Sequence, residues 1–229
     1  MRATILLVVR NRAAQLRVAL PTILAKGYAD VEILVVDDGS TDETPDVLAA
    51  YGDALRVHRV ERTGGYRRNP SHVLNLGHKL AKADVVIEQG GEVCHLNDCV
   101  APLLAACEPG RIALARVYDG PPKAIPSLIE HYARNPYPAD FELDKPRTEA
   151  YTWKVPLVHG VKLFCGTERP APFVFLGAVH RQDFEAVGGY NLRIKDNNDG
   201  DFAARQLRRG TRFRFVGNAL ALHLSHGKS

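Results

Sequence analysis

The sequence predicts an α/β fold: a doubly wound, mostly parallel sheet flanked by helices and interrupted by one proline-rich insertion. Three observations carry that expectation. Short β-branched runs alternate with helix-length stretches through the first half, the order that crossover helices impose on a parallel sheet. Polar and glycine-rich clusters follow the strand-like runs, where open α/β sheets bind ligands. A chain of 229 residues with 45% hydrophobic content can bury one large core.

Taken in order, Thr4 to Val9 reads as the first strand, Ala13 to Lys26 as a helix closed by Gly27, and Glu32 to Val36 as the second strand. Asp37-Asp38-Gly39-Ser40-Thr41-Asp42-Glu43 then forms a ligand-facing turn, with Ser40 or Thr41 capping the next helix and Asp42 and Glu43 complementing its dipole. A helix over Thr44 to Tyr51, a strand over Leu55 to Val60, a helix over Ser71 to Ala81 and a strand over Asp84 to Ile87 follow. The last leads into a polar stretch from Glu88 to His95. Asp98 to Cys107 fits a helix and Ile112 to Val117 a strand.

Regularity fails from Asp119 to Pro172, which holds nine of the 14 prolines. This stretch is either an acceptor-binding lid or a looser insertion. A strand at Phe173 to Val179, a short helix at Arg181 to Val187, a helix at Asp201 to Arg209 and two closing strands, Arg212 to Val216 and Leu220 to Leu224, complete the order. The economical organisation is a single domain over 1–229: a nucleotide-binding half (1–117), an insertion (118–172) and an acceptor half (173–229).

No run approaches the roughly 18–20 apolar residues of a membrane span, and the apolar opening is short for a signal sequence, so a soluble cytoplasmic protein is expected. The four cysteines, Cys94, Cys99, Cys107 and Cys165, show no C-x-x-C pairing and read as buried thiols rather than a zinc or redox site. The net charge of +4 suits phosphate-bearing ligands and leaves a nucleic-acid acceptor open.

Val35-Val36-Asp37-Asp38-Gly39-Ser40-Thr41-Asp42-Glu43-Thr44 resembles the nucleotide-binding segment of family-2 glycosyltransferases, which have the GT-A fold. The resemblance continues through Asn75-Leu76-Gly77, Phe175 to Tyr190 and Asn198 to Leu207, nearly the whole chain outside the proline-rich middle. It implies a nucleoside-diphosphate sugar as donor, a UDP-sugar being favoured, and transfer with inversion to a hydroxyl-bearing acceptor. Asp38 is implied to accept a hydrogen bond from the base, as a carboxylate can. Asp37 serves either there or in the turn. Val9, at the end of the first strand, joins the nucleotide-binding set. Arg67 and Arg68 follow Gly64-Gly65 and either meet the diphosphate with their guanidinium forks or form a solvated pair.

Where the family carries Asp-x-Asp to hold Mg²⁺ or Mn²⁺, this sequence has Glu88-Gln89-Gly90, with Gly91 and a further acid at Glu92. Glu88, Glu92 and His223, with His95 as an alternative, are the candidate metal ligands, and Gly91 supports them. The competing reading is that the glutamates flank a Gly-Gly turn. Asp199 takes the place of the family's catalytic base, after an Asn198 that stands where the family has another acid. Asp201 either supports the site or caps the following helix, and Arg205 one turn later suits an i,i+4 ion pair with it. Two other functions stay open: a nucleotide-sugar-binding protein without catalysis, and a nucleotidyltransferase. The second is disfavoured by the absence of glycine in Val9-Arg10-Asn11-Arg12.

Overall fold

The structure, a computed structural model, describes residues 2–61, 69–134, 141–143, 162–164, 174–194 and 198–224. Its elements run β1 (Ala3–Val9), α1 (Ala13–Leu24), β2 (Val31–Asp37), α2 (Thr44–Ala49), β3 (Arg56–Arg59), α3 (Pro70–Leu80), β4 (Val85–Gly90), β5 (Val93–His95), α4 (Val100–Ala106) and β6 (Arg111–Gly120). After these come α5 (Ile125–Arg134), β7 (Phe141–Leu143), β8 (Lys162–Phe164), β9 (Leu176–His180), α6 (Arg181–Ala186), α7 (Asn198–Arg209) and β10 (Arg212–Leu224). Among the described residues no helix is long and apolar enough to cross a membrane.

The strands form one ten-stranded sheet whose main path is β3-β2-β1-β4-β9-β6-β10-β5, with β7 on β10 and β8 on β6. β1 pairs in parallel with both β2 and β4, β2 with β3, and β6 with β10. β9 runs against β4 and β6, and β5 against β10. The sheet is therefore mixed and mostly parallel, with helices on both faces, as the alternation of the sequence requires.

Alternation along β1 sorts its side chains between two cores. Ile5, Leu7 and Val9 pack with Leu16, Leu20 and Ile23 of α1, whose buried residues recur at helical spacing. Leu6 packs on the other face with Leu34, Val36, Val86 and Val73 of α3. A third cluster joins Phe184 of α6 and Phe202, Ala203 and Leu207 of α7 to Ile112, Leu114, Phe213 and Phe215 of β6 and β10.

Three expectations change. The two closing strands are one, β10, which pairs with β6 along its whole length and takes up a register shift between Val216 and Leu220, around Gly217-Asn218. The polar stretch after Ile87 is not a loop throughout: Glu88, Gln89 and Gly90 stay in the ladder because β1 continues beside them, in the register Leu6↔Glu88, Leu7↔Gln89 and Val8↔Gly90. Neither Ser40 nor Thr41 caps α2. Asp42, one residue before the N-cap Glu43, instead accepts hydrogen bonds from the amides of Thr44 (3.0 Å) and of Ala13 at the start of α1 (3.3 Å).

Glu32 ties the parallel strands together. Only 8% exposed, it accepts from Thr4 Oγ1 on β1 (2.9 Å), Arg56 Nε on β3 (2.5 Å) and the Lys82 amide (3.3 Å). Burial alone would raise its carboxyl, but the hydrogen bonds from Arg56, Thr4 and Lys82 outweigh that and hold it below the ordinary 4.5. A folded-state value below the unfolded one stabilises the fold above the unfolded carboxylate range, and this stabilisation is lost as pH falls through the folded value. Glu32→Ala is expected to cost about 1–3 kcal/mol at neutral pH, and urea denaturation over a pH series should show the deficit shrinking as the medium turns acid.

Candidate functional site

The chain leaves β1 for β2 and β3 on one side and returns to β4 on the other, so the carboxyl ends of β1 and β4 flank a topological switch point. A cavity of about 260 Å³ opens there. Val8, Glu88, Gln89, Gly90 and Glu92 line it from the strand ends, Pro70 and Leu74 from α3, Val174 and Phe175 from before β9, and Tyr190, Asn198 and Asp199 from the last third of the chain. It has an apolar wall and an acidic floor.

The turns beside it are held rigidly. Asn11 adopts a positive φ of 49°, its amide donates to Ser40 Oγ (3.0 Å) and its Oδ1 accepts from the Thr41 amide (2.8 Å), stitching the turn after β1 to the turn after β2. Asp37 is 1% exposed. Its Oδ1 accepts from the Ser40 amide (2.9 Å) and Ser40 Oγ (2.5 Å), and its Oδ2 from Arg59 NH1 (2.9 Å). Of its two expected roles, the structure gives Asp37 the turn. Asp38, 5% exposed, comes directly after β2, and its amide donates to the Val9 carbonyl (2.9 Å). The Val9 side chain is 2% exposed and packs in the core, so Val9 shapes this corner from beneath rather than offering a ligand contact. Arg67 and Arg68 lie outside the described residues.

The acids expected to hold a metal are occupied otherwise. Glu88 is 2% exposed; its Oε1 pairs with His78 Nε2 and its Oε2 accepts from the Tyr190 hydroxyl at 2.5 Å. Burial, then the charge and hydrogen bond of Glu88, push the Tyr190 phenol well above its ordinary pKa, so it stays protonated and donates. Gln89 is held by Val93 O (3.2 Å) and His95 Nε2 (2.8 Å), and burial drives His95 down to about 4, leaving a neutral ring. Glu92 lies between Arg12 Nε (3.3 Å) and His223 Nε2 (3.6 Å), while His223 Nδ1 meets Asp119 Oδ1 at 2.9 Å. Burial would depress His223, but Glu92 and Asp119 outweigh it and its pKa is raised.

The two glycines after Gln89 differ in what a side chain would meet. A Cβ on Gly91 would meet Val9 Cγ1 at 2.5 Å, and one on Gly90 would meet Glu92 Oε1 at 2.9 Å. Gly91 thus supports the site by close packing. Among the described residues no group of three or more His, Cys, Asp or Glu side chains is placed to hold a metal. With Glu88 closed off by His78 and Tyr190, and Glu92 shared by Arg12 and His223, the residues here do not fit the carboxylate-rich shell that Mg²⁺ or Mn²⁺ takes.

Asp199 lies in the first turn of α7 and faces the cavity; its Oδ1 accepts from the Gly200 amide at 3.0 Å. Because α7 starts at Asn198, Asp201 is inside the first turn and is not the N-cap. It forms the i,i+4 ion pair with Arg205, at 2.8 Å. Sequence reasoning gave no role to His78, Asn75 or Tyr190, which the fold gathers around Glu88. The available signal was Asn75 and His78, three residues apart and so on one face of α3.

The chain is similar to known proteins in sequence and in fold. Validoxylamine A glucosyltransferase of Streptomyces hygroscopicus subsp. jinggangensis (strain 5008) is 34% identical over 132 residues, 53% of this chain and 31% of that protein, so the matched stretch is about a third of the relative's length. Two solved structures share the fold. The mannosyltransferase PcManGT from Pyrobaculum calidifontis, in complex with GDP-Man and Mn²⁺, superposes with a TM-score of 0.64 at 19% identity, over 100% of this chain and 58% of its own. S. aureus TarS 1-349 in complex with UDP-GlcNAc does so with a TM-score of 0.65 at 13% identity, over 100% of this chain and 60% of its own. Both cover the chain end to end, and their likeness establishes the GT-A architecture. The family model for Glycosyl transferase family 2 matches residues 4–155, spanning the turns after β1 and β2 and the acidic end of β4, and the chain belongs to that family.

Proposed function

We propose that this chain transfers a glycosyl group from a nucleoside-diphosphate sugar to a hydroxyl of an acceptor, with inversion, and that Asp199 is the general base. The observation that carries the reading is the exposure of Asp199 to the cavity at the carboxyl ends of β1 and β4. At about 260 Å³ the cavity is smaller than the roughly 300–1,000 Å³ of a drug-sized ligand site, which suits one sugar ring with the nucleotide lying outside it. The apolar wall of Leu74, Val174 and Phe175 suits a ring face, and the acidic floor suits its hydroxyls.

In the proposed step the Asp199 carboxylate takes the proton of the acceptor hydroxyl while that oxygen bonds to the anomeric carbon. The bond from that carbon to the diphosphate oxygen breaks on the opposite face, and the electron pair leaves with the nucleoside diphosphate. Attack and departure on opposite faces invert the centre. Asp38, beside the Val9 corner, is the proposed acceptor for a base N–H, and Arg67 and Arg68 are the proposed diphosphate contacts. The UDP-GlcNAc and GDP-Man held by the two structural neighbours support a nucleotide-sugar donor, and UDP-sugars are the first to test.

Asp199→Asn is expected to keep the fold and nucleotide affinity but to lower transfer by roughly 10²–10⁴-fold, since an amide cannot take the proton. Near-full transfer in a coupled assay of nucleoside-diphosphate release would remove Asp199 from this role. Asp38→Ala should weaken nucleotide binding by about 1–3 kcal/mol, read by calorimetric titration with UDP and GDP. Unchanged affinity would leave Asp38 a turn residue. Nucleotide binding by a wild-type chain that transfers no sugar would favour a binding protein instead.

A further inference from the structure

Glu88 stands where the family carries its metal-binding acids, yet its surroundings describe a different task. It lies on β4, while both of its partners come from elsewhere in the chain: His78 from α3 and Tyr190 from the segment between α6 and α7. We propose that Glu88 is a positioning residue which, through Tyr190, fixes helix α7 and so the Asp199 carboxylate against the cavity. The proposal rests on the reading of Asp199 as base, and its test separates the two.

The connection can be followed atom by atom. The hydroxyl of Tyr190 is bound to Glu88 Oε2, and its ring packs on Phe202 of α7 with centroids 4.8 Å apart. Phe202 is three residues beyond Asp199, close to one helical turn, so its place sets the direction in which Asp199 points. Phe184 closes the cluster, lying 5.6 Å from Phe202 and stacked on His78 at 3.5 Å with an interplanar angle of 5°. His78 therefore grips Glu88 with its ring nitrogen and the aromatic cluster with its ring face.

The backbone at Tyr190 is clamped as well. Asn75 Oδ1 accepts from the Tyr190 amide (2.8 Å) and Asn75 Nδ2 donates to the Tyr190 carbonyl (2.9 Å). Gly189 makes this approach possible: its φ is +66°, and a Cβ there would meet Asn75 Oδ1 at 2.7 Å. Farther along, Asn69 Nδ2 donates to the carbonyls of Leu192 and Ile194. Asn75 of α3 and its N-cap Asn69 thus hold 189–194, the stretch that leads into α7, and Glu88 is the buried carboxyl at the centre of the grip. A carboxylate with both oxygens engaged and 2% exposure is suited to this and unsuited to exchange ligands with a cation.

The test uses the full chain as Tyr190→Phe, which removes only the hydroxyl, and as Glu88→Gln. Amide hydrogen exchange, steady-state transfer and nucleotide titration in Mn²⁺ and in EDTA are measured for each. Exchange over 198–209 is expected to rise about tenfold while β1 and β2 stay as in wild type. The turnover number kcat is expected to fall about tenfold or more, with nucleotide Kd in either medium within about twofold. In an Asp199→Asn background Tyr190→Phe should add no further loss of transfer, because both act through one carboxylate.

Unchanged exchange in α7 overturns the proposal whether or not the chain transfers sugar. So does an additive loss in the double variant, or a Mn²⁺-dependent nucleotide affinity that Glu88→Gln abolishes and Tyr190→Phe preserves. If α7 loosens as expected while wild type transfers no sugar, the positioning role stands and the reading of Asp199 as base falls.

Discussion

Strand β1 is buried on both faces and hydrogen-bonded on both edges, and this fixes what can meet at the cavity. A slip of one residue would send Ile5, Leu7 and Val9 to the α3 face and Leu6 to the α1 face, exchanging two cores at once. The register is therefore rigid, and so is the alignment of strand ends: Val9 beside Asp37, Val8 beside Gly90. The turns carrying Asp38 and Glu92 inherit their positions from that alignment. These two turns therefore form a preformed corner.

A second constraint is electrostatic. An ionised carboxylate taken out of water costs several kcal/mol unless partners replace its hydration. The chain meets this in more than one way. Glu32 is offset by an arginine and donors from two neighbouring segments, and it serves the sheet. Glu92 is offset by Arg12 and a histidine whose proton affinity it helps to raise. Glu88 has a histidine from the preceding helix and a phenol 102 positions on, and so joins α3 and β4 to the segment before α7. The same residue type thereby serves the sheet, a turn and a junction between α3, β4 and the segment before α7.

Much of the fold was legible beforehand because its signals are local. The β-branched runs and the apolar spacing of α1 depend on residues close in sequence. The continuity of β10 was not, because it is imposed by β6 alongside, which carries the ladder past Gly217-Asn218. The site divided in the same way. Asp38 and Asp199 stand out in the sequence as acids next to a glycine, and the fold brings Asp199 to the cavity beside the strand ends. The fate of Glu88 could not be read, because its partners lie 10 and 102 positions away. Asp37 was ambiguous for the same reason, since Arg59, 22 residues on, completes its shell.

The two glycines after Gln89 bear on any attempt to graft the family's metal-binding acids onto this scaffold. An aspartate at Gly91 would have to displace Val9, which is anchored by the register of β1, so the cost would spread into the sheet itself. An aspartate at Gly90 would meet only the flexible end of Glu92, but it would set a second negative charge against one already shared by Arg12 and His223. Of the two positions, Gly90 is sterically open and electrostatically resisted, and Gly91 is closed by packing. A cation site would have to be introduced together with the release of Glu92 from its present partners, as a coupled redesign rather than a single exchange.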